Sequence, residues 1–277
     1  MAKSTLNKLS VVLATHNEAK NLPRCLDSVK NLADEIIVVD GASTDETVKI
    51  AKDYKAKIIK TTNKPNFHIN KQMGLDAAGG ELVLQLDADE VVDKELAEFI
   101  AKLKASKQVK KIYNLKSKIQ NNQHNVAWWL KRKNLFLGTW LKKGGQYPDP
   151  VIRLYINGYA RLPQKSVHEQ MEVDGPVGLA KGHLLHYSNP TFGDYLRKFN
   201  TYTSFTARTW YNRGVKPSFA NGLKYHLWQP LKTFFSLYLR HKGVLDGKAG
   251  FVFALMSGLH FPFAYLKLWE IYEKNQG

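Results

Sequence analysis

LVLQLDADE, residues 82–90, decides how the chain is read. Leu82, Val83, Leu84 and Leu86 form a short apolar run of the kind found in a strand covered on both faces. The run ends by setting two carboxylates, Asp87 and Asp89, one residue apart. Like charges crowded together raise each other's pKa unless a positive group lies between them. Two explanations stand at this point: plain solvation at a strand end, or a bound metal ion.

Working outward, the first hundred residues alternate regularly. LSVVLA (9–14), EIIVVD (35–40) and KIIK (57–60) are further strand candidates. Between the first two, Leu22, Cys25, Leu26, Val29 and Leu32 recur with helical spacing. Thr44 and Asp45 read as caps for a helix beginning TDETVKIA, and a further helix fits around residues 68–78. Strands alternating with helices of this length imply βαβ units and a mainly parallel α/β sheet, whose ligands bind beyond the carboxyl ends of the strands. THNE (15–18), DGASTDE (40–46) and DADE (87–90) all fall at such ends. Neither G-x-G-x-x-G after the first strand nor G-x-x-x-x-G-K-[ST] is present, which argues against a dinucleotide oxidoreductase or a P-loop enzyme. Carboxylates and small polar groups remain. Asp40 suits hydrogen bonds from a base or ribose, while Asp87 and Asp89 suit Mg²⁺ or Mn²⁺ shared with substrate phosphates.

Charge divides the chain. Residues 1–100 hold 13 Lys/Arg and 16 Asp/Glu, so the remainder holds 28 and 8, part of an overall +17. A +20 half fits nucleic acid, an anionic membrane surface or a phosphate-bearing substrate. No nucleic-acid motif is present, and the aromatic residues cluster with apolar runs, so nucleic acid is the weakest of the three. At 277 residues with 44% hydrophobic content, the chain is long enough for one large or two modest domains. A lone cysteine, Cys25, and an N-terminus without a signal-peptide pattern point to a cytosolic active part.

SVVLATHNEAKNLPRCLDSV, EIIVVDGASTDETVKIA and GGELVLQLDADE together resemble the family 2 glycosyltransferases, inverting GT-A-fold enzymes that use nucleotide-activated sugars. The resemblance implies a Rossmann-like nucleotide-sugar-binding half (1–110), an acceptor-binding half (111–190) and a C-terminal helical, membrane-associating extension (191–277). It implies that Thr15, Asn17, Glu18, Asp40, Ser43, Asp87 and Ala88 line the nucleotide-sugar pocket. Asp89 would ligate the divalent metal, with Asp87 and His186 as further candidates. Relatives often carry Arg-Asn where this chain has Lys71-Gln72; Lys71 keeps the positive charge expected near diphosphate. WWLKRKNLFLGTWLKKGGQYPDPVIRLY (128–155), SVHEQ (166–170), HLLHYSN (183–189) and GVLDGKAGF (243–251) are similar to the branch that builds the lipopolysaccharide core. Gln146 departs from the aromatic residue usual there.

Inverting transfer needs a base for the acceptor hydroxyl and an electrophile for the leaving diphosphate. By the resemblance Glu169 is the base, with Asp149 the alternative among the eight acids beyond residue 100. His168, His183 and His186 form a loose group, one of which is expected to complete the metal shell or contact diphosphate. Trp140 and Tyr147 offer flat faces to a sugar ring, and Arg153 and His168 complete the expected acceptor side. In the tail, Leu227, Leu231, Phe234 and Tyr238 share one helical face, and residues 249–266 run eighteen residues without a formal charge. Gly258, His260 and Pro262 speak against a straight span, so helices at headgroup level are expected. The expected enzyme therefore moves a hexose from a UDP-sugar or similar donor to a lipid-linked saccharide at the cytoplasmic face of the inner membrane. A polyprenyl-phosphate glycosyltransferase is the alternative.

Overall fold

The computed structural model describes residues 6–64, 66–115, 124–163 and 170–275. These divide into two compact units, residues 1–132 with 149–186 and residues 133–148 with 187–277.

The first unit is built on a mixed sheet. Its strands are β1 (Leu9–Thr15), β2 (Glu35–Asp40), β3 (Lys57–Lys60), β4 (Leu82–Leu86), β5 (Glu90–Val92), the start of β6 (Ala127–Phe136), β8 (Asp149–Ile156) and most of β11 (Val177–Asn189). β7 (Thr139–Trp140) belongs to the second unit and pairs with the end of β6. β9 (Ala160–Arg161) and β10 (Glu172–Val173) form a small ribbon of their own. The order β3-β2-β1-β4-β8-β6-β11-β5 starts with parallel pairs, β2 to β3, β1 to β2 and β1 to β4. From β4 onward the pairs to β8, from β8 to β6 and from β11 to β5 are antiparallel. The expected parallel run is thus the first four strands.

Helices α1 (Leu22–Val29), α2 (Thr47–Asp53), α3 (Phe67–Asp76), α4 (Lys94–Lys104) and α5 (Lys107–Leu115) flank this sheet. Alternation along β1 explains the two-sided core. Leu9, Val11 and Leu13 pack in one cluster with Leu22, Cys25, Leu26 and Val29 of α1, while Val12 points into another with Leu75 of α3 and Tyr155. Every residue of β4 is buried, as its apolar run requires. Gly74 on α3 meets β1 so closely that a Cβ there would lie 2.5 Å from Val12 Cγ1. Caps differ slightly from expectation: Glu46 precedes α2, and Asp45 accepts from the Thr47 N–H at 3.0 Å.

The second unit is helical: α6 (Phe192–Asn212), α7 (Phe219–Leu223), α8 (Gln229–Phe235) and α9 (Gly247–Lys274). Residues Lys224–Trp228 and Ser236–Arg240 are π-helical turns that continue α7 and α8 without a break. Pro230 has no N–H to donate and crowds the preceding turn, which accounts for the first π turn. His226 Nδ1 lies 3.1 Å from the Gly222 carbonyl oxygen, one turn back. α9 stays helical through Pro262. The helical residues Gly243–Lys274 are long and apolar enough to cross a membrane by length and composition. The expected single face of the preceding run splits in two. Phe234 and Tyr238 turn inward onto Phe251, with ring centroids 5.7 and 5.6 Å away, whereas Leu227 and Leu231 face outward.

Candidate active site

Three strand ends and their loops bring the expected residues together. Thr15 closes β1, Asp40 closes β2, and the two are register partners. The loops beyond them brace each other through backbone donors. Asn17 N–H donates to Ser43 Oγ at 2.9 Å, Thr44 N–H to Asn17 Oδ1 at 2.8 Å, and Glu18 N–H to Thr47 Oγ1 at 2.8 Å. Asn17 and Ala42 take positive φ, 56° and 61°, which turns both loops sharply. Asn17 and Ser43 therefore hold the two loops together. Asp40 Oδ2 accepts from Ser43 N–H at 3.1 Å.

Three buried polar atoms here have no hydrogen-bond partner: Thr15 Oγ1, Asp40 Oδ1 and Asn70 Oδ1. All three residues are 4% exposed. Gly41 lies among them, its Cβ position 3.3 Å from both Asn70 Nδ2 and the Thr15 carbonyl oxygen. A buried acceptor left unpaired costs about 1–3 kcal/mol, so a group of them at the ligand edge of a sheet marks a place for a ligand's donors. Asn70 was not singled out by sequence reasoning.

Asp87 and Asp89 part company. Asp87 Oδ1 meets Lys71 Nζ at 2.5 Å, and Asp87 Oδ2 meets an Arg153 terminal nitrogen at 2.6 Å. Gln85 Nε2 also donates to Asp87 Oδ1 at 3.3 Å, and Arg153 donates to Gln85 Oε1. Burial by itself would raise the Asp87 pKa, but Arg153 and then Lys71 outweigh it and hold the carboxyl far below its ordinary range. Burial likewise pushes Lys71 down against the pull of Asp87. Beneath them Glu90, fully buried, faces Arg132 at 3.3 Å and Arg153 at 3.5 Å. Glu90 Oε2 accepts from Asp87 N–H at 2.9 Å, and Glu90 N–H donates to the Asp87 carbonyl at 2.9 Å, locking the turn that carries Ala88 and Asp89.

Several expectations change accordingly. Asp87 is not arranged as a metal ligand, because each of its oxygens faces a cation. Lys71 is turned to Asp87, and Arg153, expected at the acceptor, lies under the same carboxylate. Asp149 is gripped by Arg132 through Nε at 2.9 Å and a terminal nitrogen at 2.7 Å, a poor setting for a base. His183 lies 3.1 Å from Asp93, the residue capping α4. His186 stands opposite Glu90 on the β5–β11 ladder, its Nε2 3.4 Å from Asp89 Oδ2. His168 and Glu169 lie outside the described residues. Trp140 and Tyr147 belong to the second unit, where Trp140 packs edge-on to Tyr187.

Among the described residues no group of three or more His, Cys, Asp and Glu is set to hold a metal. Asp89 and His186 do present a carboxylate and an imidazole side by side. That set fits Mg²⁺ or Mn²⁺ completed by water and substrate phosphates. Gln85 and Glu90, polar residues within or beside an apolar strand, were the available sequence signals for the buried network. Arg132 offered none. Cys25 donates weakly to the Asp87 carbonyl, and its thiol pKa is raised by burial and by the carboxylates of Glu90, Asp89 and Asp87.

Comparison with known proteins places this site in context. An uncharacterized glycosyltransferase of Rickettsia typhi is 30% identical over 241 residues, covering 83% of this chain and 77% of that protein. The lipopolysaccharide core biosynthesis glycosyltransferase LpsC of Rhizobium meliloti is 28% identical over 279 residues, covering 96% and 93%. Among solved structures, S. aureus TarS 1-349 in complex with UDP-GlcNAc gives a TM-score of 0.44 at 18% identity, covering 96% of this chain and 89% of that one. Glucosyl-3-phosphoglycerate synthase from Mycobacterium tuberculosis, in complex with Mn²⁺, UDP and glucosyl-3-phosphoglycerate, gives 0.43 at 17%, covering 76% and 82%. The family model described as glycosyl transferase family 2 matches residues 10–161, more than half the sequence, and the chain belongs to that family.

Proposed function

We propose that the protein transfers a hexose, with inversion, from a nucleotide diphosphate sugar to a lipid-linked saccharide of the lipopolysaccharide-core type. A UDP-sugar is the favoured donor and the cytoplasmic face of the inner membrane the workplace. The observation that carries the donor half is the group of unpartnered polar atoms at Thr15, Asp40 and Asn70. A uracil base offers one ring N–H, and Asp40 Oδ1 and Asn70 Oδ1 are unpartnered acceptors for a ligand's donor of that kind. The acceptor half rests on the similarity to LpsC across nearly the whole chain and on the basic, aromatic second unit.

Asp89 and His186 would hold a divalent cation, which supplies positive charge to the departing diphosphate. The chain's own residues do the rest. Asp87, with its charge matched by Lys71 and Arg153, stays ionised and fixed, and so positions the turn that presents Asp89. Glu169 is the proposed base for the acceptor hydroxyl, since Asp149 is spoken for by Arg132.

Thermal unfolding in the presence of a panel of nucleotide sugars, each with Mn²⁺ or with chelator, tests this reading. A UDP-sugar should stabilise the protein in a metal-dependent way, and Asp40→Ala should remove most of the shift. If no nucleotide sugar protects the wild-type chain, the donor assignment is wrong.

A further inference from the structure

The run from Phe219 to Arg240 carries an apolar row at constant four-residue spacing: Phe219, Leu223, Leu227, Leu231, Phe235 and Leu239. Each is between 47% and 83% exposed. On a regular α-helix such a row would drift about 40° per step and end on the opposite side after five steps. The two π turns remove the drift. Each takes in about one residue more than an α turn, so the stretch occupies about 18 α-helical positions, or five turns of 3.6 residues. The row is therefore straight.

A second row runs beside it. Lys224, Lys232 and Arg240 are exposed and eight residues apart, in phase with the same four-residue turn. From residue 213 to 248 the sequence has seven Lys/Arg and a single acid, Asp246. That acid is occupied by the backbone N–H groups of Lys142, at 3.1 Å, and Lys143, at 2.7 Å. The other side of the run is committed to α9. Phe234 and Tyr238 pack edge-on to Phe251, and Pro230 lies over Gly258, where a Cβ would come within 2.7 Å of the Pro230 carbonyl oxygen. The apolar row thus points away from its own unit. A second copy laid on this face would bring rows of like charge together, whereas an anionic lipid surface satisfies both rows at once.

We infer that residues 219–240 form an in-plane membrane anchor, the π-phased row entering the headgroup–acyl boundary while Lys224, Lys232 and Arg240 meet lipid phosphates. This deepens the reading of a lipid-linked acceptor by naming the surface that docks.

The full-length protein is sedimented with vesicles of phosphatidylglycerol and phosphatidylcholine, and with phosphatidylcholine alone. Wild type should bind the anionic vesicles, more weakly as salt rises. Leu227→Ser/Leu231→Ser/Phe235→Ser should lower partitioning about a hundredfold, while Leu179→Ser, an exposed leucine of the first unit, should leave it unchanged. A nitroxide scan of positions 219–240, with Cys25 buried and silent, should give oxygen accessibility on vesicles that peaks every fourth residue. Failure of wild type to bind, dimerisation through this face, or a 3.6-residue period would each overturn the anchor. Thermal protection by donor is measured on the same samples and should survive in the triple variant. Vesicle binding without any donor protection would support the anchor and remove only the donor reading.

Discussion

Arg153→Met tests the buried charge network most directly. Methionine keeps the apolar stem on β8 but deletes the guanidinium that faces Asp87 at 2.6 Å and Glu90 at 3.5 Å. Asp87 then keeps Lys71 as its ion-pair partner, and fully buried Glu90 keeps Arg132 at 3.3 Å. Removing one partner of a buried pair costs about 3–5 kcal/mol, and the surviving cations put this case at the lower end, about 3. At roughly 2–4 °C per kcal/mol for a domain of this size, the melting temperature should fall by about 6–12 °C.

The pH dependence gives the sharper reading. Arg153 and Lys71 hold the Asp87 carboxyl well below its ordinary value despite burial. Its stabilisation is therefore complete above the unfolded value of about 4 and drains away as pH falls further toward the folded one. In Arg153→Met the folded value rises back toward ordinary. The gap between the two proteins should thus be constant from neutral pH to about 5 and narrow below about 4. Urea unfolding followed by tryptophan fluorescence at several pH values measures it. Adding Asp87→Asn to complete a double-mutant cycle isolates the coupling between the two residues. A variant within about 0.5 kcal/mol of wild type at pH 7, or a gap indifferent to acid, would refute the network as described.

Glu169→Gln should lower kcat by about 10²–10⁴ in a transfer assay while donor protection against unfolding is unchanged. Equal turnover in the purified variant would remove Glu169 as the base. Asp89→Asn and His186→Ala should each abolish the Mn²⁺-dependent part of donor protection but leave the metal-free part, read by calorimetric titration; unchanged metal affinity in both would displace the site from this pair. Gly258→Val should destabilise the second unit by about 1–3 kcal/mol, since its Cβ would meet the Pro230 carbonyl at 2.7 Å. A melting curve matching wild type would mean that α8 and α9 do not pack through Gly258.

The parallel strands were legible because both physical signals agreed. Leu82–Leu86, apolar except for Gln85, and Glu35–Asp40, with its polar residues only at its ends, appear as strands at those bounds. The antiparallel part was harder, since β5 is three residues long and pairs with β11 far along the chain. Four-residue spacing in the tail misled in another way. Read on a regular helix, Leu227 and Leu231 share a face with Phe234 and Tyr238. In the fold Phe234 and Tyr238 meet Phe251 while Leu227 and Leu231 stay exposed, and Pro230 was the one visible hint of the first π turn.

The active-site carboxylates show why spacing alone is an incomplete guide to charge. A strand would send Asp87 and Asp89 to the same face, but β4 ends at Leu86, and the reciprocal hydrogen bonds between Asp87 and Glu90 bend the chain there. Bending turns Asp87 toward Lys71 and Arg153 and Asp89 toward His186. The positive partner demanded by the repulsion argument is thus, for Asp87, the protein itself. It comes from α3 and β8, elements whose proximity to β4 is a property of the assembled sheet. Asp89 alone then carries the question of a metal, and substituting Asp87 tests the foundation beneath the site more than the ion bound above it. Asp87→Asn should accordingly alter stability and the Lys71 titration first, and metal dependence only through the position of Asp89.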